Sequence, residues 1–103
     1  MSERLTKILQ MLDAKPGDTF LLYAAAMEYK KRNDLAKAME YLDRTVQFDP
    51  LYAYAFFQKG QVHEMTGDSA AARQAYLAGI DAARQKGDAH AASELQGALD
   101  MLD

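Results

Sequence analysis

At 103 residues and 11.5 kDa, half of them hydrophobic, the chain can bury one modest core and is too short for two ordinary domains. A formal net charge of −3 and a pI near 5.3 give no electrostatic reason to expect a nucleic-acid backbone or an anionic membrane as partner. Cysteine is absent, which excludes disulfides, thiolate metal sites and cysteine nucleophiles and leaves the redox compartment open.

The opening residues, Met1 to Lys7, lack the apolar core of a signal peptide, and Lys7 and Gln10 interrupt the apolar residues around them, so a cytoplasmic location is expected. Leu5, Ile8, Leu9 and Leu12 share one face at helical spacing and predict an amphipathic helix over 3–13. Lys15-Pro16-Gly17-Asp18 breaks it. The longest apolar stretch, Phe20 to Met27, is eight residues, far below the roughly 20 that span a bilayer. Lys30-Lys31-Arg32 sits where a helix should end, a favourable place for cations against the negative end of the dipole and a sufficient reason for the cluster.

Ala38, Leu42, Thr45 and Val46 then mark the inner face of a further helix. The segment Asp49 to Gly60, DPLYAYAFFQKG, reads two ways. Its large and small residues alternate as in a strand, yet Asp49 ahead of Pro50 fits an N-cap with proline in the first turn of a helix. Further on, Ala72, Tyr76, Gly79 and Ile80 form another inner face, and Ala91, Leu95, Ala98, Leu99 and Leu102 form the last. The breaks at residues 15–18, 32–34, 49–50, 66–68 and 86–88 cut the chain into six pieces of helical length. Gly17, Gly67 and Gly87 are suited to a left-handed closing turn, and Asp18, Asp34, Asp68 and Asp88 to capping the next helix.

A constant offset of 34 residues maps Ala38, Leu42, Thr45 and Val46 onto Ala72, Tyr76, Gly79 and Ile80. The same offset carries Pro16 onto Pro50, Leu22 onto Phe56, Ala26 onto Gly60, Asn33 onto Gly67 and Asp34 onto Asp68. A fixed period in this range is the mark of stacked repeats. With Leu22, Ala26, Tyr29, Asn33, Ala38, Leu42 and Pro50 in the first copy and Phe56, Gly60, Gly67, Ala72 and Tyr76 in the second, the chain resembles the tetratricopeptide repeat (TPR), and small bacterial two-repeat proteins of that family in particular. The resemblance implies an all-α, TPR-like right-handed superhelix of antiparallel helix pairs, about six helices in one domain. It divides the chain into an N-terminal helix 3–13, repeat one 19–50, repeat two 53–86 and a capping helix 88–102. The Asp49 to Ala53 segment then becomes the join between repeats, Ala53 to Met65 becomes a helix, and close approach of helices is expected at Gly60 and Ala72. Lys59, His63 and Arg84 depart from the family pattern, and the absent proline at Arg84 predicts that the second repeat's last helix runs to about Lys86. Gly79 stands where the family usually has alanine, a loss of about 1 kcal/mol in helix propensity that tighter packing must offset.

No catalytic constellation is legible: the chain has neither a Gly-rich phosphate loop nor a G-x-S-x-G elbow, and its serines are Ser2, Ser69 and Ser93. His63 and His90 lie on different predicted helices and are expected to have no acid or second histidine at ligand spacing, so no metal or other cofactor is expected. The family resemblance instead implies a concave groove lined by the first helix of each pair. Its positions here are Phe20, Tyr23, Ala24, Met27 and Lys31, then Tyr54, Phe57, Gln58, Gln61 and Glu64, an aromatic surface for a protein or peptide segment with apolar anchors. Lysine, asparagine and arginine, which grip a terminal carboxylate in some members, are replaced by Tyr23, Met27 and Gln58. For Tyr23, Tyr54 and Phe57 a core role under the terminal helices is the competing reading. Three functions are open: a non-catalytic adaptor, a homodimer using Ala91, Leu95 and Leu99, and a small-substrate enzyme that lacks convergent polar groups.

Overall fold

The computed structural model describes residues 2–102, and among them it contains six α-helices and no strand. They are α1 (Glu3–Ala14), α2 (Thr19–Lys31), α3 (Leu35–Phe48), α4 (Ala53–Met65), α5 (Ser69–Lys86) and α6 (Ala89–Asp100). The helices gather into two compact units divided between Asp49 and Pro50.

One turn chemistry is used three times. Asn33, Gly67 and Gly87 take positive φ of 62°, 80° and 75°. In each case the next residue's N–H donates back across the helix end, from Asp34 to Tyr29 O, Asp68 to His63 O and Asp88 to Ala83 O, at 2.8–2.9 Å. These are Schellman closures, and they satisfy carbonyls that the helix leaves without a partner. The same aspartates then cap the next helix, accepting from Lys37 N, Ala71 N and Ala91 N. Asp18 caps α2 through Leu21 N, and Ser2 caps α1 through Leu5 N. Two expectations need correction. Gly17 does not adopt the left-handed turn; its missing side chain makes room for Phe48, whose ring would lie 3.0 Å from an added Cβ. Asp49 is the C-cap of α3, its N–H donating to Thr45 O, while α4 opens three residues beyond Pro50 with Tyr52 at the N-cap and no side-chain cap.

In the first unit Leu5, Ile8 and Leu12 of α1 bury themselves against Leu21, Leu22, Ala25 and Tyr29 of α2, joined by Ala38 of α3. Arg4 pairs with Glu28 at 3.6 Å along the α1–α2 seam. Tyr29 and Tyr41 pack with ring centroids 5.4 Å apart, and the Arg44 guanidinium lies 4.8 Å from the Tyr41 ring centre. Thr45 is fully buried and resolves its hydroxyl by donating to Tyr41 O at 2.7 Å.

In the second unit Ala53, Ala72, Tyr76, Ile80, Ala83, Ala91 and Leu95 make the core, contributed by α4, α5 and α6. Gly60 of α4 is covered by the Tyr76 ring, and a Cβ there would collide with Tyr76 Cε1 and fall 2.6 Å from its Cδ1. Ala72, the other expected small position, is fully buried. At Gly79 a Cβ would meet Leu95 and the Cβ of Phe56, each at 2.8 Å, so this glycine lets α5 close on both its neighbours. The tighter packing that had to offset its poor propensity is present.

Two glycine-to-alanine changes should therefore move stability in opposite directions. Gly60→Ala gains about 1 kcal/mol of helix propensity but must displace a fully buried ring, and a net loss of about 1–3 kcal/mol is expected. Gly97 of α6 has open space where its Cβ would be, so Gly97→Ala should gain up to about 1 kcal/mol. Urea unfolding of the two variants measures both signs.

Candidate functional site

α2 and α4 each carry apolar residues around most of their circumference, which is why their outer faces are the places to look for a surface with a purpose. On α2, α1 and α3 take up Leu21, Leu22, Ala25 and Tyr29. Phe20, Tyr23, Met27 and Lys31 fall on a different face by helical spacing. Tyr23 and Met27 are half-buried, Lys31 is exposed in the last turn, and Ala24 packs against the unit's core. Phe20 is 74% exposed and stands beside Met11, Ala14, Lys15, Asp18 and Leu21, which with it line an open notch of about 260 Å³. Met11 is missing from the expected site because a periodicity argument assigns it to the outer side of α1 and says nothing about what lies beside it.

On α4, Tyr54, Phe57, Gln58 and Gln61 are half-buried and Glu64 is exposed. Tyr54 and Phe57 are packed against the core of the second unit. The Phe57 ring lies 6.1 Å from that of Tyr76, tilted by 58°. The Tyr54 hydroxyl donates to Glu94 Oε1 of α6 at 3.3 Å, and His90 Nε2 approaches the same oxygen at 2.5 Å. These two aromatic residues thus combine a packing role with partial exposure. Partial burial, followed by the negative charges of Glu94 and Asp88, raises the Tyr54 phenol above its ordinary pKa.

The His90 contact corrects a sequence reading. Glu94 is four residues on, the spacing that places two side chains on one helical face, and the pair does meet. Among the described residues no three metal-capable side chains converge. Glu64 also has a specific partner: the hydroxyl of fully buried Tyr76 donates to its carboxylate. On α6, Ala91 and Leu95 are fully buried in the second unit's core and Leu99 is half-buried against it. The face expected to serve a homodimer is therefore consumed in holding α6 to its own unit.

Burial first, then the hydrogen bond to Glu64 and its charge, raise the Tyr76 phenol well above its ordinary value near 10. The folded chain consequently holds this proton more tightly than the unfolded chain. Its contribution to stability is complete below about pH 10 and is lost as the pH rises above that value, because only the unfolded state then ionises. Tyr76→Phe should lower stability at neutral pH and make the decline between about pH 9 and pH 11 shallower than in the parent, as followed by urea unfolding across that range.

The chain's relatives share its fold. The sequence profile of the tetratricopeptide repeat matches residues 21–50 and 53–86. A TPR repeat-containing protein of Pseudomonas aeruginosa is 36% identical over 104 aligned positions, covering 100% of this chain and 95% of the relative. Among solved structures, a Bordetella parapertussis protein superposes with a TM-score of 0.82 at 29% identity, covering 97% of this chain and 87% of its own. A tetratricopeptide repeat domain protein from Salinibacter ruber gives 0.77 at 32% identity, covering 82% and 85%. With two successive repeat matches, the relative matched over 95% of its length and the same helical architecture, the chain belongs to the tetratricopeptide-repeat family.

Proposed function

We propose that the chain is a non-catalytic adaptor whose first-in-pair helices hold an apolar or aromatic-containing segment of a protein partner. Repeats of this family generally mediate protein–protein interaction and are generally not catalytic. The observation that carries the reading for this chain is the α2 face, where Tyr23 and Met27 stand one helical turn apart and are both only half-buried. Rigid or adaptable apolar side chains in that position give anchors at small entropic cost, and flanking polar groups give register. Phe20 and Lys31 extend the α2 face. α4 presents a face of its own, the exposed parts of Tyr54 and Phe57 with Gln58, Gln61 and Glu64 as polar company.

The reading places affinity in the apolar anchors and orientation in the amides. Among the described residues no helix is long and apolar enough to cross a membrane.

Panning a phage-displayed random peptide library on the purified chain tests this directly. Enriched peptides should carry apolar or aromatic anchors and should bind Met27→Glu at least tenfold more weakly, a change of about 1.4 kcal/mol, with the melting temperature unchanged. Enrichment of no such peptide, or binding indifferent to Met27→Glu, would reject the proposal.

A further inference from the structure

Among the described residues, all the large apolar side chains that the first unit leaves exposed lie around one turn. Met11 of α1 is 50% exposed, Phe20 of α2 is 74% exposed and Phe48 of α3 is 55% exposed. Met11 and Phe20 line the 260 Å³ notch together with Ala14, Leu21, Lys15 and Asp18. Phe48 lies over Gly17, the residue between the notch's Lys15 and Asp18 and its own ring. Three helices thus send their spare apolar surface to the Pro16–Gly17 corner, whereas isolated exposed apolar residues are ordinarily scattered.

We infer that this corner docks a second copy of the same chain around a two-fold axis. Two properties of the patch favour a copy over another occupant. The first is shape: a projecting ring, Phe20, stands beside an open hollow, so the patch offers a knob and a hole at once, as an interface that meets itself requires. The second is charge. The hollow's rim carries one cation, Lys15, and one anion, Asp18, so a two-fold axis passing between them sets each Lys15 against the other chain's Asp18. Asp18 uses one carboxylate oxygen to cap Leu21 N at 3.1 Å, and a carboxylate has acceptor capacity beyond a single hydrogen bond. A uniformly acidic or basic rim would instead repel its own copy and select an oppositely charged partner.

The patch is small against the roughly 1,200–2,000 Å² of a stable interface, so association is expected in the range of about 10–1,000 μM. Phe20 is its central anchor. Phe20 also borders the α2 face proposed for peptide capture, so the two proposals share one ring and are separated by their tests, association by Phe20→Glu and peptide capture by Met27→Glu.

Sedimentation equilibrium of the full chain across that concentration range is the test. The average mass should rise toward twice the 11.5 kDa of one chain. Phe20→Glu and the milder Phe20→Ser should remain monomeric throughout with an unchanged helical spectrum and melting temperature, because the ring is mostly in solvent. Lys15→Glu should weaken association about fivefold through the loss of two exposed ion pairs. Leu77→Glu, which removes an exposed apolar side chain of the second unit, should leave it unchanged. A parent chain that stays monomeric at the highest concentration overturns the inference. So does a dimer that survives Phe20→Glu, or one indifferent to Lys15→Glu.

Discussion

The second unit depends on the absence of one Cβ atom. Because Gly60 has no side chain, the Tyr76 ring can lie against the α4 backbone, and the ring is then deep enough to be wholly excluded from solvent. From that seat its hydroxyl reaches Glu64, and Phe57 tilts against it. A second glycine, Gly79, extends the same device by one turn, drawing Phe56 of α4 and Leu95 of α6 toward α5. Each glycine loses helix propensity and returns close packing, where dispersion contacts accumulate across a large ring.

The first unit solves the equivalent problem with different residues. At the positions corresponding to Gly60 and Tyr76 it has Ala26 and Leu42, both fully buried. A methyl added on one helix goes with a smaller side chain on the next, the kind of volume-conserving exchange that packed cores tolerate. Repeats can therefore diverge in sequence at two positions together while the pair geometry is kept. This also explains why the 34-residue offset is visible at the small and turn positions, where backbone approach or positive φ restricts the choice, and less so between them.

That restriction marks how far the sequence is legible. The helices and the caps at Asp18, Asp34, Asp68 and Asp88 derive from local chemistry, the run of α5 to Lys86 follows from the family resemblance, and the structure agrees. Gly17 misleads because a glycine after proline suggests a left-handed turn; a distant ring, Phe48, is the actual reason for it. Asp49 misleads because an Asp-Pro pair suits either a closing or an opening residue, and here it closes α3. The candidate site is legible only as a set of faces. Helical spacing tells which residues share a face, but not whether a later helix covers that face, and here α6 reaches Tyr54 through Glu94 while Phe57 packs against Tyr76 of α5. Exposed surface and core are thus continuous on α4, while on α2 the half-exposed Tyr23 and Met27 are the clearer candidates for binding. Fold membership leaves the partner open, and the case for one rests on those side chains.

The central claim is that Gly60 and Tyr76 act as a fitted pair, and a double-mutant cycle tests it most directly. The parent chain, Gly60→Ala, Tyr76→Leu and the double variant would be compared by urea unfolding at neutral pH. If the ring is what excludes a Cβ at position 60, trimming it to leucine should relieve most of the loss, with a coupling of about 1–3 kcal/mol between the two changes, and the double variant should approach the Ala26 and Leu42 arrangement of the first unit. Losses that add within about 0.5 kcal/mol would contradict the account.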